Sequence, residues 1–269
     1  MCTTCGCPAD ENHIHEDGHH GHDHDHHHDH DHHHHDREGA KRTVISIEED
    51  ILAKNNRLAS FNRALFREKG IFVLNLVSSP GSGKTTLLER TLRDLSDSMR
   101  FAVIEGDQQT DHDAQRIAAT GVPVRQINTG AGCHLDAHMI MHGTDNFDLD
   151  NLDVLMIENV GNLVCPAAFD LGEQHKVVVL SVTEGEDKPL KYPQMFRNST
   201  VMLLNKTDLL PHLDFDVAKS IAYARRVSPD IVIFQVSARS GEGMDAWYQW
   251  LKSSRIIATG SSAPVASSE

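Results

Sequence analysis

An apolar run at residues 71–77 leads directly into Ser78-Ser79-Pro80-Gly81-Ser82-Gly83-Lys84-Thr85-Thr86. This fits the phosphate-loop pattern G-x-x-x-x-G-K-[ST] except at its first position, where Ser78 replaces glycine. Such a loop constrains the fold strongly. It works only between a buried strand and a helix whose N-terminal N–H groups face the phosphates. Gly81 and Gly83 let the backbone turn around the anion, with Ser82 and Thr86 completing the cradle. Lys84 is placed to reach the β- and γ-phosphates, and the Thr85 hydroxyl to ligate Mg²⁺.

The flanking sequence repeats this strand-to-helix rhythm. Short Val/Ile/Leu-rich runs at 71–77, 101–105, 153–157, 176–182, 200–204 and 231–236 read as strands buried on both faces. Helical stretches lie near 84–97, 111–119, 135–142, 214–227 and 243–253. The alternation predicts an α/β fold of the P-loop NTPase kind, a mainly parallel central sheet flanked by helices. The expected organisation has five parts: a Cys-rich metal-binding motif at 1–7, a disordered His/Asp-rich segment at 8–40, an amphipathic helical region at 41–70, a nucleotide domain at 71–257 and a flexible tail at 258–269.

The charge is uneven. The net charge is -14, and Asp10 to Glu38 alone hold ten acids against one base. That segment is too polar to build a core. Without a basic face, general nucleic-acid binding is excluded. No apolar run of membrane-spanning length and no secretory signal is seen, so a cytoplasmic location is expected. Cys2, Cys5, Cys7, Cys133 and Cys165 are odd in number, which points to metal or thiol chemistry rather than a disulfide framework.

Four strand ends carry candidate nucleotide contacts. The second strand ends in Glu105-Gly106-Asp107, where Asp107 is expected to help bind Mg²⁺, and Asp111 and Asp113 follow in a polar loop. The third expected strand ends in Glu158-Asn159-Val160-Gly161, a D-x-x-G-like switch with glutamate in the acidic place. Gly161 is expected to sense the γ-phosphate through its N–H. For Asp111, Asp113 and Asn159 a solvated loop is an equal reading. The fifth expected strand ends in Asn205-Lys206-Thr207-Asp208. A carboxylate there can accept from guanine N1–H and its amino group, whereas adenine offers no matching donors. Ser237-Ala238-Arg239, after the next strand, resembles the element whose backbone meets guanine O6. Both lie at carboxyl ends of strands, where ligands of such sheets bind. The expected nucleotide is GTP, hydrolysed to GDP, with Lys84, Thr85, Asp107 and Glu158 as the groups around the reacting phosphate.

Metal ligands cluster in three places. Cys2, Cys5 and Cys7 can surround one ion, with nickel favoured and zinc the competitor. Fourteen histidines between His13 and His35, interleaved with aspartates, suit nickel buffering. Cys133-His134 and Cys165 can supply three ligands, or the two cysteines can be buried structural residues. Because Cys165 follows the switch glycine by four residues, a metal held there would be moved by hydrolysis.

Taken together, C-x-x-C-G-C, the His-rich stretch, S-S-P-G-S-G-K-T, G-C-H-L-D-A, E-N-V-G-N-L-V-C-P and N-K-T-D resemble the HypB family of hydrogenase nickel incorporation proteins. The resemblance covers all but the C-terminal tail. It implies a SIMIBI-class GTPase that forms a homodimer when GTP-bound. It implies a HypA-type co-chaperone and the large-subunit precursor of [NiFe]-hydrogenase as partners. It also implies nickel or zinc at Cys133, His134 and Cys165 in the dimer interface. Nickel storage and service to another nickel enzyme such as urease are the alternative readings.

Overall fold

The computed structural model describes residues 36–260 other than 109 and 131. The Cys2/Cys5/Cys7 motif, the His13–His35 run and the last nine residues of the tail lie outside the described residues. Contacts divide the chain into Met1–Ile51 and Leu52–Glu269. Of the first unit only the opening of helix α1 (Asp36–Glu68) is described. The second unit carries the sheet.

That sheet has seven strands: β1 (Phe72–Ser78), β2 (Phe101–Asp107), β3 (Val124–Asn128), β4 (Val154–Gly161), β5 (His175–Ser181), β6 (Val201–Asn205) and β7 (Val232–Gln235). Their order is β3-β2-β4-β1-β5-β6-β7, and every pairing is parallel. β1 lies between β4 and β5, so every one of its residues is buried. This is the reason its sequence is mainly apolar on both faces rather than alternating, with Asn75 and Ser78 its polar residues. Ser78 is the last residue of β1, paired with Gly161 and Val179. An extended strand residue needs no glycine, which explains the departure from the loop pattern.

Six strands fall where the apolar runs predict them. β3, Val124-Arg125-Gln126-Ile127-Asn128, was not expected. It is an edge strand with no fully buried residue, so only two of its five side chains are apolar and no run marks it. The Glu158–Gly161 stretch therefore closes the fourth strand rather than the third, and Asn205 the sixth rather than the fifth.

The helices after α1 are α2 (Lys84–Leu95), α3 (His112–Ala118), α4 (Ala137–Gly143), α5 (Lys188–Lys191), α6 (Pro193–Arg197), α7 (Val217–Val227) and α8 (Met244–Thr259). α4 opens at Ala137, not at Leu135, because Asp136 in extended conformation caps it by accepting from Met139 N. α8 continues to Thr259, beyond the expected end at 253, and stops where Gly260 turns left-handed at φ 66°.

Successive residues of β1 feed opposite faces. Phe72, Leu74 and Leu76 meet Leu88 and Leu92 of α2 and Trp247 and Leu251 of α8. Ile71 and Val73 belong to the other face, with Phe66 of α1 and Leu135 and Ile140 near α4. Trp247 is wholly buried, and its indole N–H donates to Thr91 Oγ1 at 3.1 Å. The variant Trp247→Ala is expected to lose about 3–5 kcal/mol of unfolding free energy in urea titrations.

Candidate functional site

The carboxyl ends of β1, β2, β4 and β6 open into one cleft. A cavity of about 580 Å³ is lined by residues 78–86 together with Asp107, Gln108, Asp113, Arg116, Val160, Gly161 and Lys206. α2 begins at Lys84 with no side-chain cap and no acidic residue in its first turn. Its free N–H groups therefore point at the cavity, which is the arrangement an anion needs. Gly83 holds φ 90°, and a Cβ there would sit 2.7 Å from Asn205 Nδ2. Gly161 lies so close to the loop that a Cβ would meet Pro80 N and Cα at 3.2 Å. The expected switch segment thus rests directly on the phosphate loop.

Glu158 is almost wholly buried behind this loop. Its Oε1 accepts from the Thr85 hydroxyl at 2.6 Å and from Lys84 Nζ at 3.2 Å. Its Oε2 is buried with no protein hydrogen-bond partner. A buried carboxylate oxygen kept free beside a threonine hydroxyl fits the hard-oxygen preference of Mg²⁺. Asp107 lines the same cavity but spends its carboxylate on the turn, accepting from Gln108 N, Thr110 N and Thr110 Oγ1. Partial burial works to raise its pKa, yet these bonds and the Lys84 charge hold it below the usual range. Asp113 pairs with Arg116, which also donates to Thr86 Oγ1. Asp111 accepts from Gln115 Nε2 on its own helix.

One acid in the site was passed over in the sequence reading. Glu105 sits opposite Glu158 in the β2–β4 register and is 3% exposed, with Oε2 unpartnered. Burial, the neighbouring Glu158 and Asp107 push its pKa up to about 8, so it carries its proton at neutral pH. An acid inside an otherwise apolar strand was the available signal.

The base end forms a second, adjoining cavity of about 220 Å³, lined by Gly83, Thr86, Asn205, Lys206, Asp208, Leu209, Ala238 and Arg239. Asn205 braces both neighbouring loops, donating to Ser82 O and accepting from Ala238 N. Lys206 adopts φ 63° and stretches across the cleft to Gly81 O at 2.6 Å. Ser237 Oγ donates to Asp208 Oδ1 at 2.6 Å, which fixes the carboxylate and leaves its other oxygen for a ligand. Asn205, Lys206, Asp208, Ser237 and Ala238 are therefore brought together as expected.

The third set also converges. Cys133 Sγ, a ring nitrogen of His134 and Cys165 Sγ lie within 4.8 Å of one another. Soft sulfur and imidazole donors suit zinc or nickel, whose ligand distances of about 2.0–2.3 Å would draw them closer still. The His134 ring packs on Phe169 with centroids 3.9 Å apart. Burial lowers the pKa of His134 against the opposing charge of Asp136, leaving the neutral imidazole that a metal requires.

What holds this cluster comes from polar residues that the apolar pattern did not mark, on elements that it did. Asn159, next to Glu158, accepts from Leu135 N and donates to Asn75 Oδ1. On α1, Asn55 accepts from Ala137 N and donates to Asp170 O, while Asn62 donates to Ala137 O and Leu171 O. The Cys133–His134 strap and the segment after Cys165 are thus stapled to the same helix. Lys176 on β5 donates to the carbonyls of Pro166, Ala167 and Phe169. Its charge lies 3.9 Å from Glu173 in a buried setting.

The fold and the loop define a P-loop nucleotide-binding protein. Residues 72–235 match the CobW/HypB/UreG nucleotide-binding domain. Hydrogenase maturation factor HypB of Azotobacter vinelandii is 67% identical over 79% of this chain and 70% of its own length. The protein of that name from Rhizobium leguminosarum bv. viciae is 55% identical over 94% of this chain and 96% of its own. The crystal structure of HypB from Helicobacter pylori in complex with nickel is 38% identical and superposes with a TM-score of 0.73, covering 79% of this chain and 100% of that one. The chain belongs to the HypB branch of the CobW/HypB/UreG family. Among the described residues no helix is long and apolar enough to cross a membrane.

Replacing Lys176 by Met removes three carbonyl contacts and leaves Glu173 buried beside an uncharged neighbour. We expect Lys176→Met to lose about 3 kcal/mol of stability. Cys165 in the folded variant should alkylate several times faster than in the parent chain, as read by mass-resolved thiol labelling.

Proposed function

We propose that this protein is a GTP-hydrolysing nickel metallochaperone of hydrogenase maturation, in which the nucleotide state sets the hold on metal at Cys133, His134 and Cys165. One observation carries this reading. Two adjacent residues of β4 face different sites, Glu158 toward Lys84 and Thr85, and Asn159 toward Leu135 of the metal strap. A shift at the end of β4 must disturb both.

In this reading Lys84, the loop N–H groups and the α2 N-terminus neutralise the β- and γ-phosphates. That charge stabilisation supplies most of the acceleration. Thr85 and Glu158, with Asp107 through water, would hold Mg²⁺, which spreads the charge of the leaving diphosphate. Asp208 and the backbone at Ala238 recognise guanine. Gly161 reports the γ-phosphate to the segment ending at Cys165. A homodimer closed by GTP, a HypA-type partner and the hydrogenase large-subunit precursor complete the cycle in the cytoplasm, where nickel is the cargo. The relatives named for hydrogenase maturation and the nickel complex of the Helicobacter pylori protein support this assignment. A Helicobacter pylori relative named as a hydrogenase/urease maturation factor, 41% identical, favours urease as a second client.

Two outcomes are expected. Asp208→Ala removes a charged acceptor for two guanine donors and should weaken GTP binding about 100-fold or more, measured by calorimetry against unchanged inorganic-phosphate binding. In the parent chain, the nickel concentration that half-protects Cys133 and Cys165 from alkylation should differ severalfold between GDP and a non-hydrolysable GTP analogue. Asn159→Ala should erase that difference while GTP turnover stays within about threefold. Equal protection with both nucleotides in the parent chain would refute the coupling.

A further inference from the structure

Lys84 and Glu158 mark the outer-phosphate end of the cleft and Asp208 its base end. The α-phosphate of a nucleotide lies between them. Gly83, Thr86 and Lys206 line both the phosphate cavity and the base cavity, so they mark that junction. Thr86 is the third residue of α2. Its N–H precedes the first bond of the helix, from Leu87 N to Gly83 O, and is left for an anion.

One guanidinium reaches the junction. Arg116 of α3 lines the phosphate cavity and donates through Nη2 to Thr86 Oγ1 at 3.0 Å. Two carboxylates hold it there. Nη2 also donates to Glu89 Oε2 at 2.5 Å, and Nη1 to Asp113 Oδ1 at 3.1 Å. Glu89 follows Thr86 by three residues on α2, and Asp113 precedes Arg116 by three on α3. Residues so spaced share a helix face, so Arg116 bridges the two facing pairs. Glu89 is largely covered, whereas Arg116 stays partly open to the cavity. Arginine offers five N–H donors in one plane. Three are spent on Thr86, Glu89 and Asp113, which leaves the Nε–H and one Nη1–H. The other cations lining this cavity are committed elsewhere, Lys84 to Glu158 and Lys206 to Gly81 O. A fixed cation with donors to spare is what a phosphate oxygen requires.

We infer that Arg116 binds the α-phosphate of the nucleotide, beside Thr86. It has a second effect. Asp113 lines the same cavity and would repel the phosphates, and Arg116 neutralises it. Because GTP and GDP share the α-phosphate, this contact holds the nucleotide through the whole cycle and does not sense hydrolysis. The inference rests on the nucleotide reading of this cleft, not on the identity of the base or on turnover.

Phosphorus-31 NMR of GDP bound with Mg²⁺ to the full chain tests it. Arg116→Lys keeps the charge and loses the planar fork. It should move the bound α-phosphorus resonance and leave the β-phosphorus resonance where the parent chain has it. Arg116→Met should weaken GDP and GTP equally, by about 10- to 100-fold in calorimetry. Thermal melting without nucleotide checks the fold, and the lysine variant keeps the test available should the methionine variant melt early. A β shift as large as the α shift, an unmoved α resonance in Arg116→Lys, an unchanged Kd in Arg116→Met, or a loss confined to GTP would each overturn the assignment. If Asp208→Ala leaves GTP affinity unchanged, guanine recognition fails while the α-phosphorus result stands, so the two failures are told apart.

Discussion

The end of β4 is the joint on which both sites depend. A strand turns successive side chains to opposite faces, and this one turns Glu158 into the phosphate loop and Asn159 into the metal strap. Neither residue is solvated, so neither can exchange its partners for water without the cost of an unsatisfied buried polar group. Glu158 binds Thr85 and Lys84; Asn159 binds Leu135 N and, through Asn75, reaches Glu173. Parallel pairing of β4 with β1 and β2 on either side then fixes where the joint sits. Gly161 continues it to Pro80, completing a loop of contacts around one nucleotide-sized cavity.

Around that joint the metal strap is held by polar groups as well as by apolar burial. The Cys133–Leu135 strap and the 165–171 segment are short, and each buries one leucine completely, Leu135 and Leu171. Asn55 and Asn62 on α1, with Lys176 on β5, satisfy their carbonyls and amides. Such attachments are directional and can be lost in discrete steps, unlike the packing of Leu88, Leu92 and Trp247 on the opposite face of the sheet. Both faces have a close-packed apolar core that resists motion, and the face bearing the strap adds a frame of buried polar bonds that can respond to it.

The nucleotide half was legible because each of its residues is dictated by local chemistry. Gly83 has a positive φ, Lys84 opens a helix and Asp208 follows the end of a strand by three residues, and each leaves a short motif. β3 escaped because an edge strand needs few apolar residues. Glu105 escaped because a buried acid has no periodicity. For Asn159 a site role and a solvated loop stayed equal readings, because an asparagine after an apolar run looks like any loop residue until its partners at Leu135 and Asn75 are known. Asn55 and Asn62 form bonds across about a hundred residues of chain, where spacing carries no information; Lys176 bonds the carbonyls of an irregular segment just before its own strand, which no periodicity marks.

The sequence by itself determined the alternation of strand and helix, the phosphate loop, the guanine-type loop and the identity of the sulfur and imidazole donors, because backbone geometry and ligand chemistry restrict residue types position by position. Only the tertiary structure decided that Cys133, His134 and Cys165 meet, and that one strand end serves both nucleotide and metal. Those are distances between residues remote in sequence or set by rotamer, and they follow from the order in which the strands pair.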